Sequence, residues 1–130
     1  ERHINVLGLL KTLGAGTSAV VLAAIINSRL PKKADLVIIP LIEETLKNGL
    51  AYLFAVSPLP VHLIFGLAEG LLESMDKNSF LLLGNALLGH GIYGAVAYLL
   101  WQRPILATIA AFTLHALYNI QITKRLKFFR

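Results

Sequence analysis

The sequence contains five long apolar stretches that together occupy most of its 130 residues. A membrane-spanning helix needs roughly 20 mostly apolar residues to cross a hydrocarbon core about 30 Å thick. The stretches that meet or nearly meet this length are residues 5–28, 34–56, 59–75, 80–100 and 104–122. With 56% hydrophobic and 15% charged residues, the composition is too apolar for a soluble domain of this size. We therefore predict an all-α fold, a polytopic membrane helix bundle of about five transmembrane helices.

The stretch at 59–75 is the weakest of the five, because it is short and carries Glu69 and Glu73. A half-inserted helix is the alternative for it. The connectors between stretches are short and contain ordinary stop signals, so a single transmembrane domain over residues 1–130 is expected. The chain has no cysteine, which excludes thiolate metal sites and a cysteine nucleophile.

The distribution of Lys and Arg predicts the orientation of the bundle. In a five-span arrangement one side carries eight of these residues and the other carries three, namely Arg2, Lys11 and Arg103. The basic side is expected in the cytoplasm, with the N-terminus outside and the protein in the cell membrane. Its basic tail at residues 124–130 is expected to bind anionic lipid headgroups, so the net charge of +5 calls for no nucleic-acid partner.

Seven polar residues remain inside the predicted spans once connectors and tail are set aside: Glu43, Glu44, Lys47, Glu69, His90, His115 and Asn119. A charged group at the bilayer centre costs roughly 2.5–3.5 kcal/mol on insertion scales, so such residues are functional candidates. Four of them lie nine to eleven residues into four different stretches, at depths of roughly 13–16 Å. We therefore predict that Glu43, Glu69, His90 and His115 meet near the midplane.

Helical spacing shows which of these residues are neighbours, and it also allows purely structural roles as alternatives to functional ones. Lys47 lies one turn beyond the two adjacent glutamates and can form a purely structural ion pair with one of them. His115 and Asn119 share a helix face and can serve as interhelical hydrogen-bonding groups. His62 and Glu73 lie on the face of Glu69 but near the ends of the stretch, where an interfacial position is expected.

Gly66 and Gly70 form a small-xxx-small pair that permits close approach of a neighbouring helix near Glu69.

The buried set contains the groups needed to activate water. A carboxylate that is buried beside a second carboxylate, as in Glu43 and Glu44, is a stronger base than one in water. A histidine and an asparagine amide can donate hydrogen bonds to the oxyanion that forms when water attacks a peptide carbonyl. The residues therefore predict a hydrolase, with the choice of base between Glu43 and Glu44 left open.

Four short motifs follow one another along the chain: EExxK at 43–47, FxxxE at 65–69, HxxxG at 90–94 and LHxLYN at 114–119. In that order and on successive helices they resemble the PrsW family of glutamate-type intramembrane proteases, which are distant relatives of the CAAX prenyl proteases and bacteriocin-processing enzymes. The chain departs from the family pattern in having Gly70, where many members have Asn after the FxxxE glutamate. Many members also have more helices.

The resemblance implies an endopeptidase that cuts single-span or membrane-anchored proteins, including anti-sigma factors, without a metal or other cofactor. By motif, Glu43 or Glu44 is then the base, and Glu69 and His90 line the site. The remaining assignments place His115 and Asn119 at the oxyanion and give Lys47 and Phe65 supporting roles.

Two other classes of function fit the same residues. A zinc metalloprotease is possible because His and Glu ligate zinc, although the sequence has no HExxH motif. A non-catalytic transporter or binding protein can also hold acids at the midplane.

Overall fold

The computed structural model describes the backbone of residues 5–128 and the side chains of residues 5–32, 34 and 36–122. This part of the chain is helical and contains no strand. Its helices are α1 (Val6–Asn27), α2 (Ile38–Leu53), α3 (Pro58–Asp76), α4 (Phe80–Leu99) and α5 (Pro104–Phe128), with a short 3-10 helix at Lys32–Leu36 before α2. The side chains of the predicted lipid-binding tail lie outside the described residues.

Local signals explain where the helices begin. Asn5 caps α1, because its side-chain oxygen accepts a hydrogen bond from the Gly8 N–H at 3.0 Å. Helices α3 and α5 begin at Pro58 and Pro104, and a proline in the first turn removes no intrahelical hydrogen bond. Helix α2 begins later than the predicted stretch at residue 34, because Pro40 can be accommodated only in the first turn of a helix.

The turn between α2 and α3 holds a residue in the left-handed region. Ala55 has φ 51°, and the Val56 N–H donates to the Ala51 carbonyl at 2.9 Å while the Ala55 N–H donates to Tyr52 at 3.0 Å. This is a Schellman ending with alanine in the position that usually holds glycine. Asn78, with φ 48°, follows α3 at the equivalent position, where asparagine is an ordinary choice.

Three of the described helices are long and apolar enough to cross a membrane, namely Val6–Asn27, Phe80–Leu99 and the Pro104–Ile122 part of α5. Five had been predicted from the sequence. Helix α2 has only 16 residues, about 24 Å of helix, and α2 and α3 carry most of the buried charged and polar side chains. The five-helix, all-α architecture is therefore confirmed, whereas length and composition identify three spans.

The distribution of side chains is the reverse of that in a soluble domain. Large aliphatic and aromatic side chains are exposed along every helix. The buried hydrophobic residues are mostly alanines, and the buried polar ones include two glutamates, a lysine and three histidines. Such a surface is compatible with lipid rather than water, which agrees with the membrane assignment.

Helix α2 packs against α1, α3 and α5, while α3 and α4 form the most extensive helix pair. Two glycines permit that close pairing. A Cβ atom on Gly66 would lie 2.8 Å from the His90 Cβ, and one on Gly94 would lie 2.7 Å from the His62 Cβ. Each glycine on one helix thus accommodates a histidine on the other. The predicted small-residue approach at Gly66 and Gly70 is confirmed, since Gly70 also lies against α4.

Candidate active site

The carboxylate of Glu44 lies at the centre of a buried polar cluster. Its Oε1 accepts hydrogen bonds from Lys47 Nζ at 2.5 Å and from His115 Nδ1 at 2.8 Å. Its Oε2 lies 3.6 Å from His62 Nε2 and has no hydrogen-bond partner among the described residues. Glu44 is fully buried, so two cationic or polar donors on α2 and α5 compensate the loss of its hydration.

Lys47 uses its ammonium group to connect three helices. Besides Glu44, Nζ lies 3.1 Å from His90 Nδ1 on α4 and 4.5 Å from the centre of the Phe65 ring on α3. The ion pair with Glu44 spans three residues of α2, and both side chains are fully buried. Because an ammonium group can only donate, the contact fixes His90 Nδ1 as an acceptor and leaves its proton on Nε2.

That tautomer matches the other contact of His90. Its Nε2–H donates to Glu69 Oε2 at 2.6 Å, and 46% of the Glu69 side chain is exposed. A continuous chain of polar contacts therefore runs from buried Glu44 through Lys47 and His90 to the exposed carboxylate of Glu69.

Glu43 has a different environment from its neighbour Glu44. Its Oε1 accepts a hydrogen bond from Asn27 Nδ2 at 2.8 Å, and its Oε2 lies 3.9 Å from His115 Nε2. Lys47 bonds to Glu44 rather than to Glu43. Glu43 thus has fewer hydrogen bonds than Glu44, and its Oε2 faces His115.

His115 lies between the two glutamates and is held by an aromatic neighbour. Its Nδ1 faces Glu44 and its Nε2 faces Glu43. The Tyr93 ring stacks on it with centroids 4.9 Å apart and an interplanar angle of 18°, and the His90 ring meets it edge-on at 5.4 Å. These contacts fix the orientation of the imidazole.

A cavity of about 580 Å³ between α3, α4 and α5 borders this cluster. Its polar lining includes Glu69, His90, Tyr93, His115 and Asn119. It extends to the Glu73–Lys77 ion pair near the connector between α3 and α4. A hydrogen bond from Lys77 to Glu73 raises the pKa of that lysine.

A smaller cavity of about 140 Å³ lies on the other side of the cluster and is lined in part by Asn27, Glu43, Phe65 and Glu69. Glu69 lines both cavities, whereas Glu44 and Lys47 line neither of them.

The structure brings most of the sequence-selected residues into one cluster. Contacts of at most 3.9 Å connect Glu43, Glu44, Lys47, Glu69, His90 and His115. The centre of the Phe65 ring lies 4.5 Å from Lys47 Nζ. Asn119 is partly buried and joins the set through the lining of the main cavity.

His62 is a member of the cluster that was not predicted from the sequence, where it is expected near the end of its stretch at the membrane interface. His62 is fully buried, contacts Glu44, and pairs its Nε2 with Asn48 Oδ1 at 3.1 Å. A repeated pattern could have identified it: residues 62–66 read HLIFG and residues 90–94 read HGIYG, with histidine, isoleucine, an aromatic residue and glycine in register. The two segments pack so that each glycine faces the histidine of the other.

A metal-ion arrangement can also be drawn from these residues. One ligand atom each from Glu44, His62 and His90 lies within 4.8 Å of the others, and two histidines with a glutamate are a known zinc ligand set. However, the Lys47 ammonium is bonded to both Glu44 and His90. A divalent ion would have to displace that cation.

The chain matches no protein-family model, and neither a curated protein nor a solved structure is significantly similar to it.

Proposed function

We propose that this chain is an intramembrane endopeptidase that hydrolyses single-span or membrane-anchored proteins by glutamate-activated water, as its resemblance to the PrsW family implies. The observation that carries the proposal is the unequal pairing of two adjacent buried glutamates. Glu44 is neutralised by Lys47, while Glu43 directs an oxygen toward His115. Two like residues in unlike environments are the usual arrangement for separate roles in acid–base chemistry.

In this proposal Glu44 is a positioning residue. Its Oε1 accepts from His115 Nδ1, which orients the imidazole in the manner of the carboxylate in a catalytic triad. Lys47 compensates the negative charge of this carboxylate, since its ammonium lies 2.5 Å from Oε1.

Glu43 is then the general base. It takes a proton from water as the water oxygen attacks the peptide carbonyl carbon. The carbonyl oxygen becomes an oxyanion that accepts hydrogen bonds from the Asn119 amide and from the Nε2–H of His115 in its imidazolium form, which Glu44 stabilises through Nδ1–H. When the C–N bond breaks, Glu43 returns its proton to the leaving nitrogen, which gives an amine and a carboxylic acid. The second water proton then passes from the acid to the amine, so the products leave as a carboxylate and an ammonium group. The scissile bond is assigned a position beside Glu69, because that residue lines both cavities.

The main cavity supplies a route for water. It runs from His115 toward Lys77, which belongs to the basic side in a five-span arrangement. With that side in the cytoplasm, water reaches Glu69 and His115 from the cytoplasmic surface while the exposed apolar faces remain in lipid. Glu69 also lines the smaller cavity that contains Glu43, so it connects this route to the proposed base.

The proposed topology places the N-terminus outside and the C-terminus inside, with α2 and α3 crossing the bilayer among the other helices. The buried charges of α2 are covered by α1, α3 and α5 rather than by lipid. A cysteine added after Arg130 should resist an impermeant thiol reagent applied to intact cells. Labelling from outside would contradict this orientation.

The catalytic proposal is tested with purified protein in proteoliposomes and a panel of single-span peptides that carry a fluorophore and quencher around the juxtamembrane and midplane bonds. Glu43→Gln should abolish cleavage and leave the thermal midpoint nearly unchanged, because it removes the base and only weakens one hydrogen bond to Asn27. Asp76→Asn is the matched control, since this exposed carboxylate lies on α3 and lines neither cavity. Full cleavage by Glu43→Gln would refute the assigned base.

A zinc hydrolase is the second candidate, favoured by the proximity of Glu44, His62 and His90. It predicts inhibition by a zinc chelator, recovery on adding zinc, and near-stoichiometric zinc in the active protein. Metal-independent hydrolysis predicts that full cleavage persists in chelator with substoichiometric zinc.

A further inference from the structure

Tyr93 carries a hydroxyl group that the sequence analysis did not assign to the site. The residue is buried, and its oxygen has no hydrogen-bond partner among the described residues. A buried hydroxyl without a partner is destabilising, and a phenylalanine would make the same ring contacts without that penalty. The hydroxyl is therefore available to donate to a group that arrives with a ligand in the cavity.

The position of Tyr93 suggests where that group lies. Its ring stacks on His115 at 4.9 Å and meets His90 edge-on at 5.7 Å. It lines the main cavity together with Asn119. It also lines a groove of about 360 Å³ between α4 and α5, whose apolar lining includes Leu88, Ile92, Leu114 and Leu117. Tyr93 thus stands where an apolar, lipid-facing groove meets the polar cavity.

We propose that Tyr93 is a further catalytic residue, whose hydroxyl donates a hydrogen bond to the oxyanion beside His115 and Asn119. This inference rests on the proposed peptidase function. A neutral O–H donor binds a developing negative charge more strongly than a neutral carbonyl, so the contact favours the tetrahedral intermediate over the bound peptide. No bond to Tyr93 is made or broken in the step.

The test uses the full chain in proteoliposomes with Tyr93→Phe, and Tyr98→Phe as the matched control. Tyr98 lies on the same helix but is exposed and outside the cavity. Loss of one oxyanion donor typically lowers kcat by about 10²–10³, and we expect that loss for Tyr93→Phe with an unchanged KM. A peptide aldehyde, whose hydrate mimics the tetrahedral intermediate, should lose affinity in the same proportion.

The thermal midpoint separates catalysis from structure, because deleting an unpaired buried hydroxyl should leave it unchanged or raise it. Tyr93→Phe with wild-type kcat and aldehyde affinity, while Glu43→Gln is inactive, would overturn this inference and leave the proposed function intact. A lower thermal midpoint accompanying the loss of rate would also overturn it, in favour of a structural role. Absence of cleavage by the wild type, or full cleavage by Glu43→Gln, would instead overturn the proposed function.

Discussion

Replacing Lys47 by Met tests the ion pair on which the assignment of the two glutamates depends. Both Lys47 and Glu44 are fully buried, and their charged atoms are 2.5 Å apart. Removing one partner of a buried pair typically costs 3–5 kcal/mol, because the other charge is left uncompensated. The cation–π contact with Phe65 at 4.5 Å is worth up to about 2 kcal/mol when desolvated, part of which methionine retains through its own contact with the ring. We expect Lys47→Met to lose about 3–5 kcal/mol.

A double-mutant cycle identifies which glutamate the lysine pairs with. Glu44→Gln combined with Lys47→Met removes both charges, so the double variant should be less destabilised than the sum of the two single variants, with a coupling of about 2–3 kcal/mol. The parallel cycle with Glu43→Gln should give a coupling below about 1 kcal/mol, since Glu43 bonds to Asn27 instead. The two cycles differ by one position in the chain and share every other condition.

Unfolding in mixed micelles of increasing denaturing detergent, followed by fluorescence, provides the free energies. The chain has a single tryptophan, and Trp101 lies 5.5 Å from the Tyr52 ring on α2, so its signal reports the packing of α2. Lys47→Met within about 1 kcal/mol of wild type would refute the buried-pair reasoning. A larger coupling to Glu43 than to Glu44 would refute the assignment of roles.

Three further changes have defined outcomes. Ala55→Gly should stabilise the protein by about 0.5–1 kcal/mol in the same unfolding assay. Glycine has no steric penalty in the left-handed region, and this gain exceeds the cost of the greater conformational entropy that glycine gives the unfolded chain. Gly66→Ala should destabilise it by about 1–3 kcal/mol by pushing His90 away, whereas Gly84→Ala, with no atom within 4 Å of the new Cβ, should be neutral or stabilising. Asn119→Ala should lower kcat by about 10²–10³ without abolishing cleavage, and wild-type turnover would exclude it from the oxyanion site.

The helices were largely predictable because apolar runs and prolines determine them. Helices α3 and α5 begin at Pro58 and Pro104, within one residue of the predicted bounds. The exception was α2. Its apolar run begins at residue 34, but a regular helix cannot extend far before Pro40, because proline is accommodated only in the first turn. Glu43 is therefore only the sixth residue of α2. The four helices still converge, because Glu69, His90 and His115 lie near the middle of their helices and α2 packs against α3 and α5.

The partners within the cluster were less predictable than its members. Spacing allowed Lys47 to pair with either glutamate. The structure pairs it with Glu44, whose Oε1 also accepts a hydrogen bond from His115 on α5. His62 was missed because distance from the end of a span was taken as a measure of burial. Gly94 allows α4 to cover that end of α3, so the position is buried by a neighbouring helix rather than by depth.

The same polar contacts hold the bundle together and form the candidate site. A loss of activity in a variant of these residues can therefore reflect a loss of folding as well as a loss of catalysis. Apolar side chains do not drive helices together within lipid, and here the buried apolar residues are mostly alanines. Interhelical polar contacts such as those of Lys47 and His115 therefore carry much of the association, and variants at these positions alter folding and chemistry together. Glu43 has one hydrogen bond and the Tyr93 hydroxyl has none among the described residues, so Glu43→Gln and Tyr93→Phe should change the rate with little change in stability. Variants at those two residues can consequently test the mechanism separately from folding.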